Sequence, residues 1–381
     1  MKTLTRSIPI KEGHSLVELL IAMTLGIFLI NGAFQLFVSA RVTQEEMMAR
    51  QRMLEGARLA ISFIGDELRM AGYLGCFVSL GERRINNALN APPESFQPWF
   101  GLQGWESAGT AFKESIHPST AVALVRTDTS EWKTLEAGHV LPRFDALPNS
   151  DIIRTWNVEG TPAEVTEVNQ NPPSFRLRNA QDIERNDFVL ASDCARAEIV
   201  QACSITQQTD STLLGVSTTC NPGNKSGVHL VTRASADAPA EAMRIQSTLF
   251  YVGKRGGEAL NSPALFRRSL GVDGSPDSAE ELIEGVESLQ FLYGVRLGDA
   301  RASSVNAYLT ADKVSDFSEV VSVRVDLLMQ SVDYSQSAAS QDYGFNGVRY
   351  ALDSRGGLPD DKRLRQGFSA TFYLRNRGLG L

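Results

Sequence analysis

The residue types that perform chemistry are present in this chain but are not gathered. Its four histidines, His14, His117, His139 and His229, are scattered. No HExxH pair sets two of them a helical turn apart to hold zinc. There is no GxSxG elbow to expose a nucleophilic serine, and no GxxxxGK(S/T) or GxGxxG loop to wrap a phosphate. Asp273, Asp277 and Glu280 offer the hard oxygens that calcium takes, but they do not follow an EF-hand loop. The bland reading, a solvated acidic turn, is preferred. The sequence therefore reads as non-enzymatic, with no catalytic residue, no metal and no cofactor.

Two constellations remain. The four cysteines are Cys76, Cys194, Cys203 and Cys220. Their spacings do not fit a CxxC zinc knuckle, and an even count in an exported domain suggests two disulfides. Three connectivities are possible. The expected one is Cys76–Cys194 with Cys203–Cys220, the second clipping a hairpin around residues 204–219. The other constellation is a single carboxylate, Glu18, inside an apolar run. A carboxylate in a membrane helix costs a few kcal/mol and marks a function with a partner. The competing reading is a Glu18 tolerated near the interface.

That run is the element that would position Glu18. Residues 19–40 carry no charged side chain, and about 20 mainly apolar residues suffice to span a membrane. A secretory h-region is shorter and ends in a small-residue cleavage site, which is missing at the far end of this run. The charges stand before it, at Lys2, Arg6 and Lys11, with Gly13 at the boundary. The helical pattern then continues into polar sequence. Leu54, Ala57, Ile61, Ile64, Leu68 and Ala71 recur at steps of three and four, which predicts one buried stripe. Gly72 and Gly75 are helix stops. A helix over residues 14–71 would be about 87 Å long. Gly26, Asn31 and Gly32 are weak helix formers inside it, suited either to local unwinding or to close helix packing.

The segment Lys11-Glu12-Gly13-His14-Ser15-Leu16-Val17-Glu18-Leu19 resembles the class III signal of type IV pilins and type II secretion pseudopilins. The resemblance implies cleavage between Gly13 and His14 by prepilin peptidase, methylation of the new amine on His14, and pairing of Glu18 with the amine of a neighbouring subunit. His14 departs from the Phe or Met usual in the family at that position. The implied fold is α+β, a long N-terminal helix packed on a β-rich head. The domains expected are a leader over residues 1–13, a membrane or fibre-core half over 14–40, an amphipathic half over 41–72, and a periplasmic head over 73–381. The basic leader places the amino end in the cytoplasm.

The head has the composition for a real core: the whole chain is 43% hydrophobic and 21% charged, with net charge −7. Loss of the leader would leave about −9. That balance argues against a nucleic-acid partner, whose footprint would be a basic patch. Residues 76–119 are punctuated by Pro and Gly around Phe96, Trp99, Phe100 and Trp105, and read as an ordered loop. Its aromatics are expected to form a small satellite core, with a partner surface as the alternative. Strands are expected at residues 121–126, 151–156, 174–178, 187–191, 197–205, 212–217, 228–232, 244–252 and 264–268. A short helix is expected over 278–285.

In the C-terminal third, residues 281–295, 317–329 and 368–377 read as three further blocks, the middle one a strand with clean alternation at Val321, Val323, Val325 and Leu327. With Ala71-Gly72-Tyr73-Leu74-Gly75-Cys76 they resemble the PilW minor pilins, relatives of the GspJ minor pseudopilins. That resemblance implies a minor pilin that helps initiate a type IV pilus and sits at or near its tip. Its partners would be other minor pilins, the major pilin, a tip-associated adhesin, prepilin peptidase and the inner-membrane assembly platform. It would sit first in the inner membrane, single-pass with a periplasmic head, and then in the fibre at the cell surface. A pseudopilin of type II secretion and a single-pass protein with an uncleaved anchor stay open as alternatives.

Overall fold

The computed structural model describes residues 15–77, 85–110, 115–116, 123–234, 240–255, 262–296, 305–333, 343–345, 348–350 and 363–377. Helix α1 (Leu16–Met70) runs unbroken for 55 residues, about 80 Å at 1.5 Å per residue. It passes straight through Gly26, Asn31 and Gly32.

After the helix the chain is β. The first strands are β1 (Ile85–Asn87), β2 (Leu102–Ser107), β3 (Ser115–Ile116), β4 (Val125–Arg126), β5 (Trp132–Lys133), β6 (Asp145–Ala146) and β7 (Ile152–Gln170). Next come β8 (Pro173–Arg178), β9 (Phe188–Ser192), β10 (Ala197–Gln201), β11 (Ser204–Gln207), β12 (Thr212–Gly215), β13 (Ala240–Lys254) and β14 (Pro263–Ser269). The last are β15 (Glu280–Glu284), β16 (Val286–Val295), β17 (Ala307–Leu309), β18 (Val320–Gln330), β19 (Tyr343–Phe345), β20 (Val348–Tyr350) and β21 (Arg365–Tyr373).

They form a large sheet with the path β1-β10-β9-β13-β7-β8-β12-β11, onto which β14–β15 and β2–β5 branch. A four-stranded sheet has the order β17-β16-β18-β21. Two small ribbons, β19-β20-β3 and β4-β6, complete the described strands. The α+β class expected from the sequence is the one observed.

The main core lies where α1, the four-stranded sheet and the β7–β13 pair meet. Ile64 and Leu68 of the helix, Phe291 and Val323 of the small sheet, and Ile153 and Phe250 of the large one share it. Each buried aliphatic side chain there contributes about 1.5–3 kcal/mol. The stripe on α1 is the one predicted at Ala57, Ile64, Leu68 and Ala71, with Ile61 half-buried against the same core. It differs at its upper end, where Met53 is buried and Leu54 is 58% exposed. One step along a helix turns the side chain by about 100°, and the head covers the side on which Met53 stands.

Several predicted strands need correction. Residues 228–232 form no strand. Their backbone donors go to side chains instead: Leu230 N–H to Gln170, and Val231 and Thr232 N–H to the fully buried Glu198. The helix expected over 278–285 is strand β15, paired with β14. Its acidic residues meet cations across the ladder, Glu280 with Arg267 and Glu284 with Arg255, rather than along a helix face. The single strand expected over 197–205 is two, β10 and β11, which pair with different neighbours on either side of Cys203. Strand β7 continues past residue 156 to Gln170; Gly160, in the left-handed region, lies beside the bulge where β13 shifts register. Residues 121–122 of the first predicted strand lie outside the described residues.

The aromatic loop is a satellite core. Phe96 packs edge-on against Trp156 and beside Phe188, and Trp105 is buried with Trp132 and Phe144. Buried Arg154 holds the loop down. Its guanidinium donates to the Ser95 carbonyl at 2.6 Å and lies over the Trp156 ring. The stretch also contains a strand that sequence patterning missed, β2, which pairs with β7. It is buried on both faces, so it has no alternation to read.

Candidate functional site

The stem begins with a cap. Ser15 precedes the helix in extended conformation, and its hydroxyl accepts from Val17 N–H at 3.4 Å. Glu18 is then the third helical residue. Ser15-Leu16-Val17-Glu18 is the S-x-x-E spacing of a capping box, and the position suits a negative charge on the helix dipole. Glu18 thus has a local reason to be where it is, which the sequence reading did not weigh. Gly13 and His14, the expected cleavage pair, lie outside the described residues.

Residues 16–38 project from the head. Their most apolar window is 0% buried, with mean hydropathy 2.0. The Thr24 hydroxyl donates back to the Leu20 carbonyl at 2.8 Å, which satisfies a polar group that lipid could not. A Cβ on Gly26 or Gly32 would meet nothing within 4 Å. Among the described residues no contact accounts for these two glycines.

The docked half is different. Gly65 faces the Phe372 ring of β21 so closely that a Cβ would stand inside it, and Arg69 lies 5.1 Å from the same ring's centre. Met329 of β18 and Ile283 of β15 close over Gly56. Exposed Met48, Leu59, Phe63 and Met70 remain on the outer surface of this half.

The junction is tied at several points. Gly72 and Gly75 are left-handed, as helix-stopping glycines are. Gly72 N–H donates to the Trp156 carbonyl and Val158 N–H to the Tyr73 carbonyl, so the turn leaving α1 is stitched to β7. Cys76 is bonded to Cys194 beside β9. From the other end of the chain, the Asn376 amide lies 3.4 Å from the Arg69 and Met70 carbonyls at the helix terminus, the second of which also accepts from Tyr73 N–H. Leu374 N–H is held by the Val321 carbonyl. The two terminal blocks singled out in the sequence therefore meet at the foot of the stem. Cys203 is bonded to Cys220, and the pair clips the β11–β12 hairpin. Both disulfides have the expected connectivity.

The two sheets are joined by a buried carboxylate that the sequence did not reveal. Asp151 accepts from Ser107 N–H of β2 and Phe291 N–H of β16, each at 2.9 Å. Its neighbour Glu106, equally buried, bonds the Thr110 hydroxyl. Burial, reinforced by the Asp151 charge, pushes the Glu106 carboxyl up to about 10. Glu106 is therefore neutral at pH 7; burial also pushes the Asp151 carboxyl up, to about 7, against the Ser107 and Phe291 N–H groups that favour its charged form. Acidic residues in loops and strand ends are ordinary in sequence; only the fold shows that these two share a site.

Residues 249–376 match the family described as Type IV Pilus-assembly protein W. That stretch is a PilW segment. It contains the whole four-stranded sheet, β15, and Asn376, which lies at the helix end, so the PilW segment supplies much of what holds α1, with β7 at the junction. Its strand-forming blocks had suggested the same relationship. A type IV-like pilin from Thermus thermophilus superposes over 85% of this chain and 96% of its own, with 12% identity and a TM-score of 0.32. A comparison with curated proteins gives no match.

Proposed function

We propose that this chain is a minor pilin of a type IV pilus, cleaved between Gly13 and His14 and incorporated at or near the tip, where it helps initiate assembly. The observation that carries the reading is the division of α1. Half of one rigid helix is bare, apolar and long enough to cross a membrane, while the other half is built into a PilW head. A bare apolar half suits lipid before assembly and the helices of neighbouring subunits afterwards. The head lies in the periplasm and the single span in the inner membrane, with the basic leader inside.

In this reading the stem reaches its partners by subunit–subunit binding, not catalysis. Glu18 neutralises the amine of the adjoining subunit as the helices bundle, and His14 carries the methyl group. Other minor pilins and the major pilin meet the stem; the tip adhesin meets the head; the peptidase and the assembly platform act in the membrane. Deletion of the gene is expected to abolish surface pili and twitching while exoprotein secretion continues. Lost secretion with intact twitching would move the chain to the type II pseudopilins.

A further inference from the structure

Away from the stem, a cleft of about 400 Å³ opens between the β4–β6 ribbon and the β13–β14 hairpin. Arg126 and Arg143 stand on the ribbon side, and Lys254 and Arg268 on the hairpin side. Against these four cations the lining holds one carboxylate, Asp145. On a chain of net charge −7, this is a local reversal. Asp145 is 3.5 Å from Arg126 and both are more than half exposed, so that pair is worth little. Arg143 and Lys254 form no ion pair among the described residues. Asp128 and Asp277, two nearby acids outside the lining, already spend their carboxylates on backbone N–H groups, of Ser130 and Glu131 and of Ser278.

The floor is aromatic. Phe266 stacks on Tyr251, and Phe144 leans on Tyr251 from the other side. Gly253 leaves the room that the Phe266 ring fills. Arg268 is held over this floor, 5.3 Å from the Phe144 ring centre, and one of its terminal nitrogens donates to the Asp277 carbonyl at 2.7 Å. Its Nε is buried, and the Tyr251 hydroxyl lies against the same guanidinium. The group is thus held in place at the cleft wall, where its charge can meet a carboxylate. The apolar floor and exposed Leu124 suit the carbon–hydrogen face of a ring.

We propose that this cleft binds an acidic sugar chain, with a uronate carboxylate on Arg268 and its flanking cations and a pyranose face on Phe266. A nucleic acid is the weaker fit, because a phosphate backbone asks for an extended basic track and the positive lining here is confined to one open cleft. The site is independent of the assembly reading and would give the head a ligand of its own.

The test is calorimetric titration of the full chain in detergent with tetragalacturonate. Saturable binding is expected, weakened by salt. The double variant Arg126→Ala with Lys254→Ala should weaken it at least tenfold, with the thermal midpoint and piliation unchanged. Arg268→Lys, which keeps the charge and loses the fork, should also weaken it. No saturable binding overturns the proposal. So does equal binding of the neutral oligosaccharide of the same length, tighter binding of inorganic phosphate or a short oligonucleotide, or an unaffected double variant.

Discussion

Residues 16–38 and residues 53–68 belong to one uninterrupted helix, yet their surroundings have nothing in common. In the first stretch every large apolar side chain is exposed and the glycines face open space. In the second, the apolar side chains facing the head are buried and both glycines are pressed by side chains of the PilW segment. Glycine and leucine thus carry different information in the two halves. In the docked half Gly56, Gly65 and Leu68 are explained by this chain's own contacts. In the bare half no contact among the described residues explains them.

The comparison can be broken most forcefully by cutting matched side chains from each half. Ile64→Ala should cost about 2–5 kcal/mol of head stability, as buried aliphatic truncations do, seen as a lower thermal midpoint in detergent. Ile27→Ala should leave that midpoint unchanged and reduce piliation instead. Replacing both Cys76 and Cys194 by Ser releases a loop of 118 residues, and should cost about 2–5 kcal/mol under oxidising conditions. A loss confined to reducing conditions would contradict it. Gly65→Leu should overpack the contact with Phe372 and cost about 1–3 kcal/mol, while Gly26→Leu should leave the melt untouched.

The Glu106–Asp151 pair supplies a test through pH. Its direction follows from the two carboxyls, both raised by burial, Glu106 to about 10 and Asp151 to about 7. A group that holds its proton more tightly in the fold than in the unfolded chain contributes stability that is complete below its ordinary value of 4.5 and is lost as pH rises toward about 10. The head should therefore melt at a lower temperature at pH 9 than at pH 6. Glu106→Gln, which keeps the shape and removes the charge, should flatten that dependence. An equally steep profile in the variant would place the titrating group elsewhere. The smallest effect is expected at Leu54. As it is exposed, Leu54→Ser should change stability by no more than about 0.5 kcal/mol, although it belongs to the stripe read from sequence.

Leu54 shows where sequence reading stops. Period-3.6 spacing picks out the covered face at Ala57, Ile64, Leu68 and Ala71, but Met48, Leu59 and Phe63 are apolar too, and only the head decides that Met53 rather than Leu54 begins it. The helix itself and its glycine stop were legible because each depends on local chemistry; the cysteines left three pairings open, and only the fold brings Cys76 to Cys194 across 118 residues. Residues 228–232 were not, because their β-branched composition is that of a strand and the acceptors that replace the ladder, Gln170 and Glu198, lie far away in sequence. Residues 278–285 misled for the opposite reason, as their acids find partners across a hairpin. In the candidate site, Glu18 stands out as a charge in an apolar run and its capping-box spacing from Ser15 is also in the sequence, whereas the Asn376 contact requires the last strand to return to the stem.

The capping geometry also sharpens how Glu18 should be tested. Glu18→Gln keeps the capping box and removes the charge, whereas Glu18→Ala removes both. If Glu18 serves assembly through its charge, the two variants should fail to assemble alike. Assembly by Glu18→Gln at the native level would leave only the helix-capping role.

The most direct measurement is the amino terminus of the protein from its own cells, by mass spectrometry, with and without active prepilin peptidase. The account predicts a chain beginning at His14 when the peptidase is active and at Met1 when it is not. A chain beginning at Met1 in both would contradict it, and the bare half of α1 would then be an ordinary membrane anchor.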